Sequence, residues 1–157
     1  MYGHVRSLLC LAALAAPLAW VATPATRAAA DEGYCVDFSV EKVRSGDGVL
    51  WVALFADEDA YKNNGPTALL EEVPVTEGTT EVRFCGLSAG TFSMSVFHDE
   101  NHNGDLDMNR IGAPTEGFAF SGNPPLLAGK PRFKKIAFEL GEDTPTHTES
   151  VRLRYLF

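Results

Sequence analysis

The sequence lacks the features of membrane-spanning and nucleic-acid-binding proteins. After residue 30, no apolar stretch reaches the roughly 20 residues that a spanning helix needs, so we expect no membrane span there. Lys and Arg number 13 against 21 Asp and Glu, and no basic stripe with interleaved aromatic residues occurs. The net charge of −8 repels phosphate backbones and acidic headgroups. The composition therefore predicts no nucleic-acid partner.

The sequence also lacks the local motifs of common enzyme classes. No glycine-rich phosphate-binding loop or nucleotide fingerprint occurs. Ser93, Ser95 and Ser121 stand outside any nucleophile elbow. We therefore predict a protein that is not an enzyme and has no catalytic residue. A hydrolase with Glu116 or Asp107 as its base is the less favoured alternative.

Residues 1–30 resemble a Sec-type signal peptide. A short polar start with His4 and Arg6 precedes the apolar run LLCLAALAAPLAWVA, and RAAA supplies the small residues of a cleavage site. We expect cleavage after Ala30 and a mature domain of residues 31–157 that is periplasmic or secreted. A retained N-terminal anchor is the alternative. Removal of residues 1–30 takes away two arginines and no acidic residue, so the net charge of −8 becomes −10.

Cysteines are few, and their positions favour one disulfide. Of the three cysteines, Cys10 lies within the predicted signal peptide. Cys35 and Cys85 remain in the mature chain, where an oxidising compartment favours a bridge between them. Each lies on the side of its predicted strand opposite to the main apolar face, which suits a bridge between neighbouring strands. Two free thiols are the alternative.

Alternation of apolar and polar residues dominates the mature chain, and no long stretch has helical periodicity. Tyr34, Val36, Phe38 and Val40 alternate with polar residues, which predicts a strand with one buried face. The apolar run VLWVALF, residues 49–55, is typical of a central strand covered on both faces. Five further strands are predicted in the segments EEVPV, TTEVRFCGL, GTFSMSVFH, RFKKIAFEL and ESVRLRYLF. Seven short strands predict an all-β fold, an antiparallel β-sandwich of immunoglobulin or transthyretin type.

The segment HDENHNGDLDMNR, residues 98–110, concentrates acidic and amide side chains around one glycine. Numbered from Asp99, it matches the first nine positions of the EF-hand calcium loop: oxygen-bearing side chains at positions 1, 3, 5, 7 and 9, and Gly104 at position 6. Position 12, which normally holds a bidentate glutamate, is Arg110, and a strand leads into the loop. The segment is therefore an EF-like loop, but it is not an EF-hand.

An oxygen from outside the loop, or bidentate binding by Asp107, must replace the missing glutamate. Glu116 is the best candidate, because Gly112 and Pro114 allow the chain to fold back. The predicted ligands of a structural Ca²⁺ are Asp99, Asn101, Asn103, Asp105, Asp107 and Glu116.

Two alternatives to calcium remain open. In the first, the loop is metal-free, since Asp and Asn favour turns through local hydrogen bonds. In the second, His98 and His102 hold a transition metal. The strand pattern argues against the second alternative, because it places His98 on the inward face as a buried, hydrogen-bonding side chain.

Several motifs of the mature chain recur together in one family. HDENHNGDLD, residues 98–107, matches the pattern HDxNxNGxLD, and further matching positions are Gly112, Pro114, Glu116, Gly117, Phe120, Ser121, Asn123, Pro131 and Phe133. In these motifs the chain resembles the exported bacterial DUF2141 family, although Ala119 stands where the family often has glycine. The resemblance implies an uncharacterised exported β-sandwich domain. It also implies that the segment TEGFAFSGNPP and the acidic loop recur together in the family and form one structural unit.

The segment TEGFAFSGNPP is the second candidate site. We predict that Phe118, Phe120 and Asn123 contact an envelope or cell-surface partner, whose identity the sequence does not give. In the first hypothesis, the Ca²⁺-bound loop helps to present this surface. In the alternative, the protein is a metal-free ligand- or protein-binding envelope domain that uses this segment as its recognition loop.

Overall fold

A computed structural model describes residues 33–65, 67–126 and 129–157. The predicted signal peptide, residues 1–30, lies outside the described residues. Within them, eight strands form two sheets, and only two short helices accompany the strands. No helix in the described ranges is long and apolar enough to cross a membrane. The predicted all-β, two-sheet fold is confirmed, while its assignment to the immunoglobulin or transthyretin type stays a prediction.

The strands lie in two hydrogen-bonded sheets. They are β1 (Tyr34–Val43), β2 (Val49–Phe55), β3 (Leu69–Pro74), β4 (Gly78–Leu87), β5 (Gly90–Asp99), β6 (Gly117–Phe120), β7 (Ala137–Leu140) and β8 (Thr146–Arg152). The helices are α1 (Glu58–Lys62) and α2 (Phe133–Ile136). The three-stranded sheet has the order β4-β1-β8, and the five-stranded sheet has the order β3-β2-β5-β6, with β7 also paired to β5. Strands β6 and β7 therefore share one side of β5.

One pairing departs from the predicted antiparallel arrangement. Strands β1 and β8 run parallel, with Cys35 opposite Thr146 and Glu41 opposite Arg152. Parallel neighbours need a long connection, and here it runs from β2 to β7 and includes every strand of the five-stranded sheet. Alternation along a strand indicates which face is buried, but it carries no information about the direction of the neighbouring strand.

The strand count also differs from the predicted seven. Strand β6 has only four residues, GFAF, and it lies in the segment predicted to be a recognition loop. The segment RFKKIAFEL, predicted as one strand, divides into α2 and β7. As a result, Ile136 packs in a different cluster from Phe138 and Leu140. Elements of four residues are too short for the periodicity of their apolar side chains to identify them in the sequence.

The main core fills the space between the two sheets. Its buried side chains include Val36 and Phe38 of β1, Leu50 of β2, and Met94 and Val96 of β5. These positions follow the predicted alternation, because successive side chains of a strand point to opposite faces of the sheet.

A smaller cluster covers one end of the outer face of the five-stranded sheet. Tyr61 of α1 and Phe133 and Ile136 of α2 pack there against Phe55. The other end of this face lies next to the acidic loop, which follows β5.

The predicted disulfide is confirmed. Cys35 of β1 and Cys85 of β4 are bonded across neighbouring strands of the three-stranded sheet, at a Cα–Cα distance of 4.1 Å. Cys35 is buried.

Candidate functional site

The acidic loop is anchored by Asp99, the last residue of β5. The Asp99 side chain is buried, and its carboxylate accepts hydrogen bonds from the backbone N–H groups of Asn103 at 3.0 Å and Gly104 at 2.7 Å. The indole Nε1–H of Trp51, on the neighbouring β2, donates to the same carboxylate at 3.1 Å. Burial raises the pKa of the Asp99 carboxyl, but these hydrogen bonds outweigh it and hold the pKa below its ordinary value. Asp99 therefore fixes the first turn of the loop as a carboxylate.

The glycine of this turn has the conformation expected from the sequence. Gly104 has a φ of +83°, in the left-handed region that glycine occupies without strain. Its N–H points at Asp99, so the sharp turn and the buried carboxylate stabilise each other.

Glu116 closes the loop from its far end. Its Oε1 accepts the backbone N–H of Glu100 at 2.9 Å, and its Oε2 accepts that of Asp107 at 3.0 Å. The Glu116 side chain is buried. One buried carboxylate therefore ties the beginning of the loop to its end. The structure places Glu116 at the loop through contacts with the backbone, and its role as a metal ligand stays a prediction.

The other four predicted ligands lie in the loop itself, where Asn101, Asn103 and Asp105 are exposed and Asp107 is half-buried. The amide Nδ2 of Asn101 donates to Asp107 at 2.6 Å, and Nδ2 of Asn103 donates to the other oxygen of Asp107 at 3.1 Å. Asp105 is exposed, and its backbone N–H donates to the side-chain oxygen of Asn103. Within the described ranges, no group of three or more His, Cys, Asp and Glu side chains is arranged to hold a metal ion.

His98 is buried and hydrogen-bonded, as the strand pattern predicted. Its Nε2 lies 2.7 Å from the carbonyl oxygen of Asp47, and its Nδ1 lies 2.7 Å from the hydroxyl of Tyr155. Since a carbonyl can only accept, we assign the proton to Nε2, and Nδ1 then accepts from Tyr155. Both nitrogens are used, so neither is free to bind a metal. His102 instead lies in the exposed loop, 3.4 Å from Glu72 of β3.

Sequence reasoning missed three residues that support the loop. Arg44 donates to both carboxylate oxygens of Glu100, and this pair holds the pKa of Glu100 below its ordinary value. The guanidinium of Arg44 also lies over the ring of Tyr155, 4.3 Å from its centroid. Trp51 donates its indole N–H to the Asp99 carboxylate. No local pattern marks Arg44, Trp51 or Tyr155, because each contacts partners far away in the sequence.

The predicted partner-binding residues do not share one surface. Phe118 and Phe120 lie half-buried on the outer face of β6, with ring centroids 6.2 Å apart. The side-chain amide of Asn123 instead pairs with the edge of β8. It donates to the carbonyl of Ser150 at 2.6 Å and accepts the backbone N–H of Arg152 at 2.8 Å.

A groove of about 700 Å³ lies on the outer face of the five-stranded sheet. Its floor is formed by outward-facing side chains of three strands, Ala53 of β2, Ser95 and Phe97 of β5, and Phe118 and Phe120 of β6. The acidic loop forms one wall through residues that include Asp105, Leu106 and Met108.

The rim of the groove is unusually apolar for a surface. Five large hydrophobic side chains are exposed in the described parts of the chain, and three of them, Leu70, Met108 and Leu156, line the groove. Apolar side chains gathered around a concavity mark a binding site more often than scattered ones do.

Comparisons with known proteins identify a family. The sequence profile of the family described as "Uncharacterized protein conserved in bacteria (DUF2141)" matches residues 38–148, more than half of the chain. A search of curated proteins found no match, and neither did a search of solved structures. The matched range includes the acidic loop, Glu116 and β6.

Proposed function

The chain belongs to the DUF2141 family of bacterial proteins, and from this premise and its site we propose that it is an exported, non-catalytic binding module. In this proposal, the acidic loop binds a structural Ca²⁺ and forms one wall of an apolar binding groove. The observation that carries it is that the loop closed by Glu116 also lines the groove. The disulfide supports export, because disulfides persist in oxidising compartments.

The groove supports binding rather than catalysis. Its floor is mostly apolar and holds no titratable side chain among the described residues. Glu116, the base of the alternative hydrolase hypothesis, is buried, and both of its oxygens accept backbone N–H groups. Asp107 accepts from two amide side chains and has no second catalytic group among its hydrogen-bond partners.

The side chains of Asn101, Asn103, Asp105 and Asp107 carry oxygen atoms of the kind that calcium prefers. The amides of Asn101 and Asn103 both contact Asp107 through nitrogen. The oxygens of the same two amides accept the backbone N–H groups of Asn103 and Asp105, so in this proposal they exchange these two hydrogen bonds for the ion, with Asp107 as the carboxylate next to both. Calcium accepts six to eight oxygens in flexible geometry, and water can complete the shell. Asp99 and Glu116 would hold the backbone frame of this site.

Thermal unfolding with and without calcium tests the metal. The melting temperature of the mature protein should be higher in millimolar CaCl₂ than in EGTA, because an ion that binds only the folded state stabilises it by about 2.7 kcal/mol at a hundredfold excess over Kd. Asp107→Asn and Asp105→Asn should lose most of this difference.

Asp143→Asn is the matched control, since Asp143 is an exposed carboxylate in a turn far along the chain from the loop. It should keep the full calcium effect. Circular dichroism would check that each variant is folded. Identical wild-type melting curves in CaCl₂ and EGTA would refute the calcium part of the proposal.

A metal-free binding module is the second candidate function. The observation that favours it is that Asp99 and Glu116 already hold both ends of the loop through backbone N–H groups. In this case, the loop is ordered without an ion and the groove acts alone. Calcium should then leave the melting temperature unchanged, while substitutions in the groove should still affect binding.

A further inference from the structure

Lys130 lies at the end of the groove opposite to the acidic loop. In the pairing of β2 with β5, Val49 faces Asp99 at the loop end, and Phe55 faces Ser93 at the other end. The ammonium of Lys130 lies 6.0 Å from the ring centroid of Phe55 and lines the groove. Six residues of strand separate the two ends by about 20 Å.

The ammonium of Lys130 has no carboxylate partner among the described residues. Its Nζ donates to the carbonyl of Tyr61 and to the side-chain oxygen of Asn64, both at 2.6 Å, and lies 4.1 Å from the ring centroid of Tyr61. These acceptors are neutral, and an ammonium carries three N–H donors, so one donor and the full charge remain for a ligand. Partial burial lowers the pKa of Lys130, with no carboxylate to oppose it.

The charges at the two ends of the groove are therefore opposite. Asp105 and the neighbouring carboxylates of the loop repel an anion, whereas Lys130 attracts one. Between them, the floor offers aromatic rings and small side chains, which favour a hydrocarbon body. The volume of about 700 Å³ lies within the range of small-molecule sites.

We propose that the groove binds a fatty acid, with its carboxylate at Lys130 and its hydrocarbon chain across Phe118 and Phe120 toward the acidic loop. This inference rests on the proposed function of the groove as a binding site, and it names the class of ligand.

Calorimetric titration of the mature protein with dodecanoate below its micellar concentration tests the proposal. We expect saturable binding of one molecule per chain. Lys130→Gln should weaken the affinity on the order of tenfold, since a charge-assisted hydrogen bond is lost. Lys62→Gln is the matched control, because Lys62 is an exposed lysine of nearby α1 that pairs with Glu58 outside the groove, and it should leave the affinity unchanged.

A second pair of variants tests the path of the hydrocarbon chain. Met108→Asp places a charge on the apolar wall and should weaken dodecanoate binding. Ile111→Asp should not weaken it, because Ile111 lies three residues beyond Met108 and does not line the groove. Both side chains are exposed, at 54% and 84%, so neither change should disturb the core.

One neutral probe, dodecanol, and one cationic probe, dodecylammonium, have the same alkyl chain as dodecanoate. They separate a wrong ligand assignment from a groove that binds no ligand. Dodecanol binding as tightly as dodecanoate, with no effect of Lys130→Gln, would overturn the fatty-acid assignment and leave the groove as a binding site. Tighter binding of dodecylammonium would overturn the assignment as well. If no alkyl probe binds, both the assignment and the groove part of the proposed function are wrong, whatever the result with calcium.

Discussion

At the scale of single residues, buried polar side chains mostly contact backbone groups that need a partner. Asp99 and Glu116 accept backbone N–H groups of the acidic loop. Ser121 accepts the N–H of Met94 at 3.0 Å and donates to the carbonyl of Ile136 at 2.5 Å. The hydroxyl of Ser93 is the exception among the described residues, because it is fully buried without a hydrogen-bond partner.

This difference predicts opposite effects for two serine substitutions. Ser93→Ala should leave the free energy of unfolding unchanged or raise it slightly, because it removes a desolvated hydroxyl that forms no hydrogen bond. Ser121→Ala should lower it by about 1–3 kcal/mol, because two buried backbone groups lose their partner. Urea denaturation of both variants measures the two effects. Equal losses of stability in the two variants would contradict this account.

At the scale of elements, α1 is stabilised by an N-cap and is held to the sheet by one aromatic side chain. The carboxylate of Asp57 accepts the N–H of Ala60 at 2.7 Å and caps the helix. Tyr61 packs edge-on against Phe55, and its hydroxyl donates to the carbonyl of Pro131 at 2.9 Å. A helix of one turn is unstable alone, so these contacts determine its position.

Tyr61→Phe should lower the free energy of unfolding by about 1 kcal/mol at neutral pH, because the hydrogen bond to Pro131 is lost. Burial raises the pKa of Tyr61 above its ordinary value of 10.0. Above pH 10 the unfolded chain therefore releases a proton that the folded chain retains, so this group makes the wild type less stable as pH rises.

The Tyr61→Phe variant lacks this group and should lose less stability in alkaline solution than the wild type. Urea denaturation near pH 8 and near pH 11 would compare the two proteins. Tyr155, whose pKa burial also raises, is present in both and does not affect the difference. A parallel decline of the two proteins would contradict the assigned role of Tyr61.

The motif residues that carried the family resemblance act mainly as parts of elements. Glu116 closes the acidic loop, Ser121 links β5 to α2, and Asn123 pairs with β8. Gly117 lies against the ring of Tyr155, where a Cβ would come within 2.3 Å of a ring atom. Within the segment TEGFAFSGNPP, Phe118, Ala119 and Phe120 line the groove, whereas Glu116, Ser121 and Asn123 hold neighbouring elements together.

At the scale of the whole molecule, the disulfide joins two strands of the three-stranded sheet that are separated by much of the chain. Cys35 and Cys85 are 50 residues apart, and the intervening chain includes β2 and β3 of the other sheet. The bond therefore restricts the unfolded chain over a long loop, for which the chain-entropy account gives about 4 kcal/mol.

The double variant Cys35→Ala, Cys85→Ala should unfold at lower urea concentration, with a loss of stability of about 4 kcal/mol. Reductant should lower the stability of the wild type and have no effect on the variant, which serves as the control. Overlapping denaturation curves of the two oxidised proteins would show that the bond does not stabilise the fold.

Local patterns in the sequence determined much of this architecture. Alternation placed β1 at Tyr34–Val43 and showed which of its side chains face the core, because strand periodicity is a property of adjacent residues. A continuous apolar run placed β2 at Val49–Phe55. Spacing also identified the acidic loop, while Gly112, Pro114 and the family resemblance pointed to Glu116 as its partner.

Only the tertiary structure decided the parallel pairing of β1 with β8 and the existence of the groove. Both depend on residues that are distant along the chain, and no local pattern encodes how separate strands meet. The groove requires the acidic loop, β6 and the segment of Lys130 to converge on one face of the five-stranded sheet. Local sequence patterns therefore determined most of the strands and their buried faces, whereas packing between distant elements decided what surface they present.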